Sequence, residues 1–156
     1  MNANFQPYEG TEPYIFISYA RKDGMRARSL LEALHRAGYR VWYDSGIQAG
    51  KKWADSLAEH ILGCKVFMPL VSFAFADSLN CYDETTYARK KKREILPVYL
   101  EEEVSLPPGL DIALYEAQWL KLSDYQDADA FALTLDAEPG CAPCRNAPGT
   151  IAREAS

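Results

Sequence analysis

The sequence predicts an α/β fold: a three-layer, flavodoxin-like sandwich whose five-stranded parallel sheet, order 2-1-3-4-5, carries helices on both faces. Three observations predict it. Short continuous apolar runs, the mark of strands buried on both faces, recur along the chain. Segments with helical spacing alternate with them. The connections are short, so right-handed crossovers lay the strands parallel and place the helices above and below. A chain of 156 residues is one domain's worth.

Each element has its own warrant. Tyr14-Ile15-Phe16-Ile17-Ser18-Tyr19 is the first buried strand. Asp23 offers an N-cap to a helix in which Ala27, Leu30, Leu31 and Leu34 share a stripe, and Gly38 is its left-handed stop. Arg40-Val41-Trp42-Tyr43 is a second strand, and the loop from Asp44 to Lys52 leads into a helix striped by Trp53, Leu57 and Ile61. Lys65 to Ser72 is the third strand. Its Pro69 lacks a ladder donor, so a sheet irregularity or strand end is expected there. Asp77 to Lys92 reads as a helix ending in the basic turn Arg89 to Arg93, where cations complement the macrodipole. Glu94 to Leu100 is the fourth strand, Pro107-Pro108-Gly109 a turn, Tyr115 to Leu120 a short fifth strand and Asp124 to Leu135 a final helix. Residues 1–12 form a polar leader, 13–137 the domain, and the Pro-, Gly- and Ala-rich 138–156 a disordered tail or linker.

Composition narrows the function. Hydrophobic residues make up 48% and charged residues 25%, the balance of a soluble globular protein. A net charge of −5 argues against nucleic acid and against an anionic membrane as partners. The longest apolar run, Val66 to Phe75, is strand-sized, and the N-terminus lacks the basic start and apolar stretch of a secretion signal. A cytoplasmic protein is expected. Cys64 and Cys81 stand alone, as buried thiols do. Cys141 and Cys144 form a CxxC without the strand-to-helix setting of a redox motif or the further ligands of a zinc site. His35 and His60 show no ligand spacing, so neither metal nor cofactor is expected.

In such a sheet, ligands bind at the carboxyl ends of the strands beside the switch in strand order, which selects the loops Ser18–Asp23 and Ser72–Glu84. Gly46 to Lys52 has the setting of a phosphate-binding loop, but it is one residue short, and Lys52 stands where a Ser or Thr should be. On the helix after the third strand, Asn80, Glu84 and Tyr87 fall near one face, while Cys81, Thr85 and Ala88 form the sheet-facing stripe. By spacing alone Glu84 reads as a solvated surface residue.

Taken together, these segments resemble Toll/interleukin-1 receptor (TIR) domains of the bacterial, NAD-cleaving type. Phe16-Ile17-Ser18-Tyr19-Ala20-Arg21-Lys22-Asp23 is similar to their opening box. Val41-Trp42-Tyr43-Asp44 with Gly46, Gly50 and Trp53 is similar to their second strand and BB loop. Leu70-Val71-Ser72 with Ser78, Asn80-Cys81 and Glu84 resembles their third box and catalytic helix, and Ile95-Leu96-Pro97-Val98 their fourth strand. The resemblance spans about residues 13 to 135. It implies an NAD⁺ glycohydrolase or cyclase in which Glu84 is catalytic and Ser18, Tyr19, Arg21, Asp44 and Asn80 line the pocket, with Arg21 near the diphosphate. It also implies self-association through a loop containing Gly46, Ile47, Gly50 and Lys51, and a role in bacterial defence or signalling. One position departs from the pattern. Many active members carry Trp four residues before the glutamate; here it is Asn80, which hydrogen-bonds but offers less surface for stacking. Two other readings stay open: a non-catalytic interaction module assembling through the BB loop, and a nucleotide hydrolase or transferase of similar fold.

Overall fold

A computed structural model describes residues 6–45 and 51–146. Strand and helix alternate as the sequence predicts: β1 (Ile15–Ser18), α1 (Gly24–Arg36), β2 (Val41–Tyr43), α2 (Lys51–Gly63), β3 (Val66–Val71), α3 (Phe73–Ala76), α4 (Leu79–Lys90), β4 (Glu94–Ile95), β5 (Val98–Tyr99), α5 (Pro108–Leu114), β6 (Leu120–Lys121) and α6 (Ala128–Thr134). Among the described residues the strands form one parallel sheet ordered β2-β1-β3-β5-β6, with β4 also beside β3. This is the 2-1-3-4-5 order with the fourth strand split in two.

The two-residue period of a strand divides the core between the sheet's faces. Ile15, Ile17, Val66, Met68 and Leu70 point to one side, where Leu30 and Leu34 of α1 and Phe131 of α6 cover them. Phe16, Phe67 and Val71 point to the other, against Ile61 of α2, Cys81 and Ala88 of α4 and Leu110 of α5. Gly38 closes α1 with φ 93°, the left-handed stop expected of it.

Pro69 does not end its strand, because β3 continues through it to Val71. The irregularity falls on the neighbour. The registers Phe67↔Ile95 and Leu70↔Val98 set Pro69 opposite Pro97, the point at which the fourth strand is interrupted. Two prolines facing each other leave neither strand's missing donor to disrupt an intact ladder.

Several boundaries differ from the sequence reading. Pro107-Pro108-Gly109 opens a helix rather than marking a turn alone, with Pro108 in the first turn, where its missing N–H has no partner to lose. Of the expected fifth strand, Tyr115 to Leu120, only Leu120 pairs, the observed strand continuing to Lys121 beyond it, and Tyr115 and Trp119 are exposed. The third loop holds the single helical turn α3, and α4 starts later than Asp77, capped by Ser78, which accepts from the Cys81 N–H at 3.1 Å. The last helix is likewise shorter, capped by Asp127 at 2.8 Å from the Ala130 N–H.

The segment assigned to a disordered tail is the largest correction. Through Asn146 it packs on the domain. Cys141 and Cys144 are fully buried in the same layer as α1 and α6. The Arg40 N–H donates to the Cys144 carbonyl at 2.8 Å and the Asn146 N–H to Gly38 at 2.9 Å, while Tyr39 and Arg145 form an antiparallel bridge. Gly140, at φ 79°, passes so close to Val66 that a Cβ would lie 2.9 Å from its methyl. Proline and glycine here serve tight turns. The leader also has contacts: the Tyr8 N–H donates to the Val41 carbonyl at 2.8 Å, and Glu9 accepts from Trp42 at 3.1 Å and meets His60 at 2.7 Å.

Gly46, Ile47 and Gly50, named for oligomerisation, lie outside the described residues, and Lys51 is the first residue of α2. Among the described residues no helix is long and apolar enough to cross a membrane, and no group of three or more His, Cys, Asp or Glu could hold a metal ion.

Candidate active site

β1 and β3 are neighbours in the sheet, so the loops that leave their carboxyl ends face each other. A network joins them, buried at Ser72 and Asp23 and opening to the surface at Arg26. Ser72, at the end of β3, donates a hydrogen bond to the Asp23 carboxylate, which also accepts from Arg26 at 2.8 Å. Arg26 lies 3.5 Å from Glu101, which in turn accepts from the Phe73 N–H at 2.7 Å. Asp23 therefore accepts no backbone N–H of the helix it was expected to cap; its carboxylate takes the Ser72 hydroxyl and the Arg26 guanidinium instead, and so ties the two loops together.

Above that network Cys81, Thr85 and Ala88 press α4 onto the sheet, and the same rotation turns Glu84 inward. Glu84 is only 9% exposed, which reverses its reading as a solvated surface residue. Ser18, the last residue of β1, donates to its Oε1 at 2.6 Å. Burial raises the Glu84 carboxyl to about 7; the Ser18 hydrogen bond opposes the rise, and the nearby charges of Asp44 and Asp83 add to it.

Glu84 lines a cleft of about 420 Å³ together with Tyr19, Arg21, Asp44 and Asn80, so the sequence-predicted residues converge on one place. Ser18 reaches it through its bond to Glu84. Tyr19 donates to the Asp44 carbonyl at 3.2 Å, and burial together with the Asp44 charge raises its phenol. Arg21 stands exposed at the rim. The rest of the lining, Phe16, Ile17, Gly24, Ser45 and Ser78, was not assigned to the pocket from the sequence, although Ser78 stood in the segment that carries Glu84. Ser78 carried a signal, since a serine preceding a helical stripe is a cap that places its backbone at the helix's entrance. Trp53 was missed as a support. Its indole N–H donates to Asp44 Oδ2 at 3.2 Å, fixing that carboxylate at the end of β2.

Chemically, the cleft sets one buried carboxylate beside exposed polar groups and an arginine. A carboxylate that burial leaves poorly solvated gains most from a positive charge forming next to it.

Comparison with known proteins places this geometry among relatives. The sequence model of the TIR domain matches residues 15–135. None of the curated proteins matches the chain. Among solved structures, the TIR domain of the Toll-related receptor TRR-2 from Hydra magnipapillata is similar at TM-score 0.58 and 20% identity, over 70% of this chain and 84% of that one. Clostridium botulinum CMP N-glycosidase, BcmB, aligns at TM-score 0.55 and 16% identity, over 79% and 97%. The TIR domains of the activated Roq1 resistosome, which recognises the pathogen effector XopQ, align at TM-score 0.51 and 21% identity, over 58% and 59%. At such identities the likeness is one of fold.

Proposed function

The chain belongs to the TIR domain family, and from that premise we propose that it is an enzyme cleaving the nicotinamide–ribose bond of NAD⁺, with Glu84 as the catalytic residue. The observation that carries this reading is the burial of Glu84 against Ser18 at the wall of a polar cleft. The chemistry needs one carboxylate. Nicotinamide leaves a cationic pyridinium as a neutral molecule, so the general acid of ordinary glycoside cleavage is unnecessary. Positive charge develops on the ribose, and ionised Glu84 stabilises it or traps it covalently. Arg21 at the rim suits the diphosphate, and Tyr19, Asp44 and Asn80 suit the sugar. Water or the adenine then completes the reaction, giving ADP-ribose or a cyclic isomer. The domain would act on self-assembly, in bacterial defence or signalling within the cytoplasm.

A nucleotide with a neutral base is the second reading, favoured by one observation. Near pH 7 part of the Glu84 population carries a proton that such a leaving group requires. A solved relative of this fold is itself named a CMP N-glycosidase.

The test is chromatography of the products formed from NAD⁺ and from CMP, using protein at high concentration and protein clustered on beads. Wild type should release nicotinamide, and Glu84→Gln should be slower by about 100-fold or more. Base release from CMP alone would replace the substrate and keep the role of Glu84. A folded, clustered wild type inert toward both would remove the enzyme and leave the interaction module.

A further inference from the structure

Glu84 has a second, chemically different neighbourhood. On its other side α2 and α4 diverge to leave a groove of about 240 Å³, lined by Trp53, Leu57 and Ala58 from α2 and by Asn80, Glu84 and Tyr87 from α4. Asn80 and Glu84 line both this groove and the polar cleft, so the two adjoin at the carboxylate. We propose that the groove binds the base, taking a planar, positively charged heteroaromatic ring against Trp53. The inference rests on the N-glycosidic reading above and deepens it.

Four features point to such a ring. Cleft and groove differ in kind: tyrosine, arginine, serine and aspartate surround one, while the other is walled chiefly by carbon. A molecule with an anionic, hydroxyl-rich half and a flat apolar half spans both only with its connecting bond beside Glu84. Second, Ala54 and Ala58, four residues apart on α2, leave a slot beside the indole where larger side chains would fill it. Third, Trp53 is already held by its 3.2 Å bond to Asp44, so little side-chain freedom remains to be lost on stacking. Fourth, the charge is right for a cation. Asp83 lines the groove beside Glu84, and an indole face attracts positive charge. Tyr87 is the poorer platform, since the Lys91 ammonium sits 5.5 Å from its ring centre.

The probe is 1-methylnicotinamide, a cationic ring with no sugar or phosphate, compared with neutral nicotinamide and with ADP-ribose. Binding is followed through the alanine methyl signals of the labelled intact protein by NMR, which requires no turnover. The cation should shift the Ala54 and Ala58 methyls and bind more tightly than nicotinamide. Ala58→Phe, which fills the slot but leaves the Trp53–Asp44 pair intact, should weaken the cation at least ten-fold and leave ADP-ribose within about two-fold. Trp53→Ala should raise KM for NAD⁺ about ten-fold, with Trp53→Phe recovering part of it. Cleavage of NAD⁺ with KM unchanged in Ala58→Phe would overturn the groove and spare the reaction. A cation bound in the groove of a protein that cleaves nothing would do the reverse. Groove methyls unmoved by saturating 1-methylnicotinamide would end the proposal.

Discussion

A carboxylate that folding takes out of water weighs on the stability of the fold that holds it, and Glu84 is such a group. Its carboxyl rises from 4.5 to about 7, chiefly through burial. The folded chain therefore binds this proton more tightly than the unfolded chain does. Across the window between those values stability falls as pH rises, and above it the ionised group carries the whole penalty, on the order of 3 kcal/mol. Glu84→Gln removes the charge while retaining an oxygen to accept from Ser18. Thermal melts should show the variant gaining several degrees at pH 8 and nothing at pH 4. Equal melting temperatures at pH 8 would mean that the charge is better solvated than its burial implies. In the proposed reaction the same ionisation governs turnover. Because the reacting form is the carboxylate, kcat/KM for NAD⁺ should climb with pH through about 7, and a profile flat from pH 6 to 8 would contradict that role. A bound pyridinium should favour the carboxylate and shift the profile for kcat to lower pH.

At the scale of elements, strands were legible because full burial on both faces leaves continuous apolar runs, as in Ile15–Ser18 and Val66–Val71. Proline and glycine were harder to interpret. The pair Pro107-Pro108 reads as a stop, yet a proline in the first turn of a helix forfeits nothing, and α5 begins there. Likewise the composition after Glu138 reads as disorder, since it offers few large apolar side chains. What it does offer are Cys141 and Cys144, small enough to fill the space beneath the sheet edge, where burial pushes both thiols up to about 12. These cysteines pack as core residues. A chain ending at Ala137 would uncover that layer and lose the strand-like pairing of Tyr39 with Arg145. Relative to a chain ending at Asn146 it should lose about 2–4 kcal/mol, read as a lower urea midpoint. Matching midpoints would make the segment an appendage.

The molecule as a whole builds its site from parts far apart in sequence: the loop after β1, the end of β2 and the inner face of α4. Topology alone located the cleft, because ligands gather where strand order reverses. Spacing could not identify Glu84, since an i, i+4 pattern does not say which face of a helix meets the sheet; the resemblance to a family supplied that residue. The pairing of Trp53 with Asp44 was beyond either, because it depends on how α2 settles against β2. A ligand spanning these parts must tie them together, so binding should be visible in stability without any turnover. With Glu84→Gln to prevent cleavage, NAD⁺ at ten times its Kd should add about 1.4 kcal/mol, a rise of roughly 3–5 °C in melting temperature for a domain of this size. Arg21→Ala should diminish that rise by removing the cation offered to the diphosphate. CMP in place of NAD⁺ reports on the competing substrate in the same experiment, since it reaches the polar cleft but offers a neutral base to the groove. Stabilisation by NAD⁺ and not by CMP favours the dinucleotide, and the converse favours the nucleotide. Indifference to both would mean that the cleft holds neither, and would favour the non-catalytic interaction module over the enzyme.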